Sequence, residues 1–267
     1  MSLVAVTGSV LLGTLVLYLL AGIVVLDRAA LARVRHGIRG KLIALKPYLA
    51  VLVVVMLINR VAREAGPDLS WVLGWNITDE LFAIEGHLVA TVQSVQTPWL
   101  TQYFSFIYLP GYVFLLTFPF VLYLAHRDVR PLKETVLSYT LNYSIGLVFY
   151  VLFISYGPRN LLPDAVEPLL YSTYPDTQLL TGEVNSNSNV FPSLHSSMSV
   201  TAATLAFRNH DAYPRWTPVA LWLAVSVCLA TMYLGIHWGT DVVAGIVLGV
   251  GSVWLAKRGV DWEEERR

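Results

Sequence analysis

Long apolar runs separated by short polar segments dominate the 267-residue chain. A transmembrane helix needs about 20 mostly apolar residues, and by that measure the sequence predicts seven spans. Their ranges are 3–26, 47–62, 100–125, 135–156, 194–209, 217–236 and 239–256. The fifth is short and rich in Ser and Thr, so we expect it to face other helices rather than lipid. The pattern predicts an all-α, polytopic membrane helix bundle of about seven spans.

Between the second and third spans, apolar residues recur at helical spacing after an acidic start. The acidic start is Thr78-Asp79-Glu80, which suits the first turn of a helix. The apolar positions are Leu81, Ile84, Leu88, Val92 and Val95. Such a pattern, flanked by tryptophans, is typical of a helix that lies in the membrane interface. We therefore expect an amphipathic helix on the outer face of the membrane.

The composition also excludes several classes of protein. The chain is 55% hydrophobic and only 13% charged, whereas soluble domains carry about 25% charged residues. Its 18 basic residues are matched by 18 acidic ones, so no basic surplus exists to neutralise the phosphates of a nucleic acid. Cys228 is the only cysteine, which excludes an intramolecular disulfide and a cysteine cluster. We expect membrane lipids as partners, no nucleic acid, and no obligate protein partner.

The basic residues predict the orientation of the chain. Residues 27–46 carry six of them, and residues 126–134, 208–215 and 257–267 carry three, two and four. In a seven-span arrangement these four segments all fall on one side of the membrane. Short basic loops stay in the cytoplasm, so the pattern predicts an N-terminus outside, a basic cytoplasmic loop over residues 27–46, and a cytoplasmic C-terminus.

Three polar motifs lie at span ends on the predicted outer side. They are Gly157-Pro158-Arg159, Phe191-Pro192-Ser193-Leu194-His195 and His237-Trp238-Gly239-Thr240-Asp241. Ionisable groups at membrane depth are costly and usually functional. Because the predicted topology places all three motifs at one depth, we expect them to form a single site.

The residue types in these motifs suggest phosphoryl transfer. His237 and Asp241 are four apart, so on a helix they share a face, and the carboxylate can hold one ring nitrogen while the other acts as a nucleophile or base. His195 can protonate a leaving oxygen. Arg159 offers a planar fork for phosphate oxygens, and Ser193 offers a hydroxyl and an amide near a helix start. Together these residues predict a phosphohistidine intermediate.

The three motifs, in this order, resemble those of the type 2 phosphatidic acid phosphatase superfamily over roughly residues 60–256. The resemblance implies a helical core like that of vanadium haloperoxidases, and a metal-independent lipid phosphate phosphatase or phosphotransferase without a cofactor. It implies that His237 is the nucleophile, that Asp241 orients it and that His195 is the general acid. It further implies that Arg159 and Ser193 bind the phosphate of a lipid phosphate or phospholipid.

On this interpretation the chain has three parts. Residues 1–46 form an added N-terminal span and basic loop, residues 47–256 form the catalytic membrane domain, and residues 257–267 form a cytoplasmic tail. The first span lies outside the resemblance.

The chain also departs from the usual phosphatase pattern. Leu152 stands where the family has Lys, Asn160 where it has Pro, Leu194 where it has Gly, and Ala230-Thr231 where it has Ser-Arg. Two of the three cationic phosphate ligands are therefore missing. These motifs look more like the branch containing inositol phosphorylceramide synthases, which transfer a head-group phosphate between lipids. A phosphodiester carries one negative charge, so fewer cations suit it.

Other interpretations remain open at this point. The acceptor is either water or an alcohol, and Arg60 or Arg63 either replaces the missing cations or extends to the outer head groups. Bound zinc would need a third protein ligand beside His237 and Asp241, and only His195 could serve as one, so we expect no metal. A transporter would place ionisable groups at mid-membrane on several spans, whereas here they collect at one face.

Two further patterns have simpler explanations. Glu85 and His87 lie two apart and do not share a helix face, which suggests a polar rim at the interface. Gly245 and Gly249 suggest close packing between helices.

Overall fold

A computed structural model describes residues 3–26, 28–178 and 189–266, except for the side chains of residues 3, 28–37, 62–70 and 73. Most of the described chain is helical. The helices are α1 (Leu3–Val25), α2 (Arg28–Leu73), α3 (Thr78–Glu85), α4 (Leu88–Gln93), α5 (Pro98–Phe106), α6 (Tyr112–Leu124), α7 (Arg130–Leu152), α8 (Pro158–Leu161), α9 (Leu169–Thr173), α10 (Leu194–Arg208), α11 (Trp216–Tyr233) and α12 (Gly239–Glu265). Two short strands, β1 (Trp75–Asn76) and β2 (Phe153–Ile154), pair in parallel.

Six helical segments in the described chain are long and apolar enough to cross a membrane. They are Val4–Val25, Ile38–Val61, Pro98–Leu124, Arg130–Leu152, Trp216–Tyr233 and Gly239–Glu265. The predicted all-α polytopic membrane bundle is therefore confirmed. The short fifth span, predicted over residues 194–209, is the 15-residue helix α10, which packs against α7, α11 and α12 inside the bundle.

The segment over residues 27–46, predicted as a basic loop, is helical in the part that the structure describes. Residues 28–46 belong to α2, a continuous helix of 46 residues. At about 1.5 Å per residue, α2 is more than twice as long as the roughly 30 Å hydrocarbon core. The basic residues mark the end of an apolar run. The helix nevertheless continues through them, because Ala, Leu, Arg and Lys all favour helix.

The predicted amphipathic helix forms as two shorter ones, α3 and α4. Gly86 separates them with a φ of 55°, a left-handed conformation that glycine adopts readily. Of the apolar positions in the sequence pattern, Leu81 is buried, whereas Ile84 is 72% exposed and Leu88 and Val95 are also exposed. The exposed apolar side chains suit a membrane interface, and that location remains a prediction.

The third span contains a π turn. Residues Ile107–Gly111 connect α5 to α6 with Pro110 inside the turn. Proline lacks a backbone N–H, and a π turn is a way for one long helix to continue past such a residue. The turn lies deep in the bundle, since Ile107 and Tyr108 are buried.

One end of the bundle is held by ion pairs, and we call it the basic end. Arg130 binds Glu134 at 3.0 Å and Glu264 at 2.7 Å, and it also pairs with Asp261. Arg208 binds Glu134 at 3.1 Å. These contacts join the ends of α7, α10 and α12, so three of the segments that the sequence predicts to be cytoplasmic meet in one place.

The last helix approaches α10 closely through two glycines. A Cβ atom at Gly245 would lie 2.5 Å from the carbonyl oxygen of Ser193, and one at Gly249 would lie 2.5 Å from that of Ser197. Any larger residue would push the helices apart, so the prediction of close packing is confirmed. This contact brings the second and third motifs together at the other end of the bundle, which we call the site end.

Candidate active site

Short pairings at the site end bring distant parts of the chain together. Strand β1 pairs with β2, with Asn76 opposite Ile154. The chain continues from β2 into a parallel bridge between Ser155 and Asn189, and Val190 donates a 3.2 Å hydrogen bond to the Ser155 carbonyl. The first motif therefore begins directly beside the segment that leads into the second.

His237 and Asp241 meet at the start of α12. Nδ1 of His237 lies 3.3 Å from Oδ2 of Asp241, and the same oxygen accepts a 2.9 Å hydrogen bond from the backbone N–H of Trp238. The two side chains are 1% and 0% exposed. The spacing alone suggested that the two side chains share one face of a helix. In the structure His237 precedes the first residue of α12, so the pair lies across the N-terminus of the helix instead. The carboxylate both starts the helix and holds the imidazole.

The second ring nitrogen of His237, Nε2, is not held by Asp241. Nε2 is buried and has no hydrogen-bond partner in the described chain. Burial and the positive charge of Arg159 lower the pKa of His237 to about 3, while the Val190 carbonyl acts in the opposite direction. The imidazole is therefore neutral at physiological pH, and Nδ1–H donation to Asp241 leaves a lone pair on Nε2.

His195 lies near His237 and is flanked by aromatic rings. The two imidazole centroids are 6.2 Å apart. The His195 ring stacks on Tyr108 at 4.6 Å, and the Tyr112 ring lies 4.7 Å away. Both tyrosines come from the third span, which contributes none of the three motifs. The His195 ring, which belongs to α10, therefore lies close to His237 at the start of α12.

Ser193 is buried and occupied by local hydrogen bonds. Its Oγ accepts from the Ser196 backbone N–H at 3.3 Å and caps α10, which begins at the next residue. Its own backbone N–H donates to the Asp241 carbonyl at 3.0 Å. The amide that the sequence suggested for phosphate binding is thus engaged in joining α10 to α12.

Arg159 lies on the short helix α8 beside His237. Its guanidinium is 4.7 Å from the centre of the Tyr171 ring, and Nη1 is buried without a hydrogen-bond partner in the described part of the chain. The preceding Gly157 is required by space, because a Cβ there would lie 2.5 Å from the Ile236 carbonyl oxygen. A buried guanidinium N–H with no partner is costly, and an anionic ligand would satisfy it.

The structure also describes residues at the positions where the family has cationic side chains and this chain does not. Leu152 is 47% exposed, and Thr231 is buried with its Oγ1 donating to the Cys228 carbonyl at 2.8 Å. Arg60 lies exposed on α2, and the Arg63 side chain is outside the described residues. No three His, Cys, Asp or Glu side chains of the described chain form a potential metal-binding group.

Sequence reasoning missed the part played by Glu85. Its carboxylate accepts hydrogen bonds from the backbone N–H groups of Gly239, at 2.8 Å, and of Thr240. Glu85, which lies on α3, therefore caps α12. Of the two residues predicted to form a polar rim, His87 is exposed. No local pattern shows this contact, because the partners are 154 residues apart in the chain.

Gln93 is a second positioning residue that the sequence pattern did not reveal. Its Nε2 donates to the carbonyls of Glu167, at 2.8 Å, and Tyr233, at 2.9 Å, while its Oε1 accepts from the Glu167 N–H. The side chain is buried. The Gln93 side chain therefore links α4, the loop after the first motif and the end of α11 at the site end of the bundle.

At one end of the bundle two histidines, a carboxylate and an arginine lie close together. A family model described as the PAP2 superfamily matches residues 78–255, and the chain belongs to this superfamily. The match begins at α3, so α1 and α2 lie outside it. Membership and the spanning helices together support a membrane phosphatase-like function. Searches of curated proteins and of solved structures gave no match.

Proposed function

We propose that the protein is an integral membrane lipid phosphatase or phosphotransferase that works through a phosphohistidine on His237. The observation that carries the proposal is the state of the His237 ring. Asp241 holds Nδ1, while Nε2 is buried beside the charge of Arg159 and has no hydrogen-bond partner among the residues that the structure describes. A neutral imidazole in that environment is an activated nucleophile next to a group that binds phosphate.

The proposed reaction has two steps. In the first, Nε2 of His237 forms a bond to phosphorus, the bond to the leaving oxygen breaks, and His195, which takes up a proton when the anionic phosphate binds beside it, gives that oxygen its proton. Arg159 binds the non-bridging oxygens. In the second step, neutral His195 takes a proton from water or an alcohol, whose oxygen attacks phosphorus as the bond to Nε2 breaks. Both steps balance without a metal ion or a cofactor.

The proposed site faces the extracytoplasmic side, with the N-terminus outside and the C-terminus in the cytoplasm. Ion-paired basic residues from α7, α10 and α12 collect at the basic end. Short basic segments remain in the cytoplasm, which supports an outward orientation for the opposite, site end.

The alternative is a head-group transferase like the inositol phosphorylceramide synthases, which would pass a phosphodiester to an alcohol. Leu152 and Thr231 favour it, because these positions supply no cation beside Arg159. A monoester carries nearly two negative charges and a diester only one. A single arginine therefore suits the diester better on electrostatic grounds.

The deciding experiment uses the purified full-length protein in lipid nanodiscs with chelator present. A labelled phosphatidyl donor is incubated with and without a polyol or a lipid alcohol, and the products are resolved by mass spectrometry. Free phosphate from a monoester supports the phosphatase, and a new diester formed only with the alcohol supports the transferase. We expect His237→Ala to abolish either product and His210→Ala, an exposed histidine at the basic end, to retain it. Full activity in His237→Ala, or activity that depends on an added divalent ion, would overturn the proposal.

A further inference from the structure

The π turn of the third span presents two tyrosines to one imidazole. Tyr108 lies inside the turn and Tyr112 directly follows it. Their rings lie 4.6 and 4.7 Å from the His195 ring, at interplanar angles of 26° and 42°. Helical residues four apart are neighbours on one surface, so the two rings flank the imidazole. The position of the His195 ring is therefore defined in part by the third span.

The other side of this turn is in contact with α1. A Cβ atom at Gly13 would lie 3.0 Å from Cβ of Pro110 and 3.6 Å from the Phe106 ring. The next residue, Thr14, is buried and its Oγ1 lies 3.4 Å from the Pro110 carbonyl oxygen, while it also donates to Val10 at 2.8 Å. Glycine at position 13 thus allows the backbone of α1 to approach the proline directly.

Most of the remaining surface of α1 does not contact the bundle. Leu11, Leu12, Leu15 and Leu19 are each more than half exposed. A second contact lies one turn further along, where Tyr18 meets Phe114 at a ring distance of 5.5 Å. The described contacts of α1 are therefore concentrated on the π turn and on the start of α6, the part of the third span that holds His195.

We infer that α1, which precedes the region shared with the family, positions the general acid. Gly13 and Thr14 support Pro110, and the turn around Pro110 holds Tyr108 and Tyr112 against His195. Gly13, Thr14 and the two tyrosines are positioning residues, since none of them contacts the reacting atoms. This inference rests on the proposed function, in which His195 protonates the leaving oxygen.

A leucine at Gly13 tests the inference, with the same change at Gly8 as a matched control. The leucine at position 13 must displace Pro110, whereas nothing lies within 4 Å of a Cβ at Gly8 on the same helix. A misplaced acid slows an alkoxide leaving group far more than an activated aryl oxide, because the latter needs no proton. We expect Gly13→Leu to lower turnover of an alkyl phosphate by about tenfold or more, with little effect on an aryl phosphate. Gly8→Leu should turn over both substrates at the wild-type rate.

A second pair of variants tests the aromatic contact without altering α1. Tyr112→Phe keeps the ring beside His195, whereas Tyr112→Leu removes it. We expect the leucine variant to show the same selective loss on the alkyl substrate and the phenylalanine variant to retain the wild-type ratio. If Gly13→Leu fails to fold, Gly13→Ala keeps the inference testable, because its Cβ would lie 3.0 Å from Cβ of Pro110.

The outcomes separate this inference from the proposed function. His195→Ala provides the reference, and its selective loss on the alkyl substrate would show that the acid is correctly assigned. If His195→Ala loses both substrates equally, the proposed role of His195 fails. If His195→Ala behaves as expected but Gly13→Leu and Tyr112→Leu slow both substrates equally, or neither, then α1 does not position the acid and the inference is overturned.

Discussion

Glu85 accepts a 2.8 Å hydrogen bond from the backbone N–H of Gly239, the first residue of α12. The carboxylate also binds the N–H of Thr240, so it satisfies two donors that a helix start leaves without partners. Its negative charge lies at the positive end of the helix dipole. A short helix outside the three motifs thereby fixes the helix that carries Asp241.

Replacing Glu85 should therefore weaken both the helix start and catalysis. We expect Glu85→Ala to cost about 1 kcal/mol of stability, the usual loss for a helix cap, and to lower kcat by loosening the His237–Asp241 pair. Thermal unfolding in detergent and steady-state kinetics would measure the two effects. Glu80→Ala, an exposed carboxylate on the same helix, serves as the control. Equal behaviour of the two variants would contradict this role for Glu85.

Asp241→Asn should preserve the fold and lose most of the activity. The asparagine amide can still occupy the helix start, but it no longer holds the His237 tautomer that leaves Nε2 free. We expect kcat to fall by at least about a hundredfold, while the melting temperature changes little. Near wild-type turnover in a well-folded Asp241→Asn protein would show that the carboxylate does not orient the nucleophile.

The orientation of the chain can be measured by cysteine labelling in a Cys228→Ser background. Asp79 is exposed on α3 at the site end, and Asp211 is exposed between α10 and α11 at the basic end. An impermeant maleimide should label Asp79→Cys in intact cells and Asp211→Cys only after permeabilisation. The reverse pattern would place the site in the cytoplasm and change the lipids available to it.

The pKa of His237 predicts a loss of stability in acid. The folded protein keeps this imidazole neutral down to a pKa of about 3, whereas an unfolded histidine takes up a proton below about pH 6.5. Stability is therefore complete above pH 6.5 and falls as the pH drops toward 3. We expect His237→Gln to reduce the difference in melting temperature between pH 7 and pH 4.5. His210→Gln, at an exposed position, should leave that difference as in the wild type.

Residue patterns alone predicted the membrane bundle and most of the spans. Span length and charge placement are local properties of the chain, because an apolar run of about 20 residues is long enough to cross the membrane whatever its tertiary contacts. The clustering of Arg159, His195 and His237 at one end also followed, since consecutive spans alternate in direction.

Contacts between distant segments decided the rest. Basic residues marked the end of an apolar run, yet α2 continues through residues 28–46 because their helix propensity does not depend on the membrane. The Glu85 cap on α12 and the His195 ring between Tyr108 and Tyr112 each join residues more than 80 positions apart. The geometry of such contacts depends on how closely the helices approach one another. Gly13, Gly245 and Gly249 permit a close approach, but the approach exists only in the packed bundle.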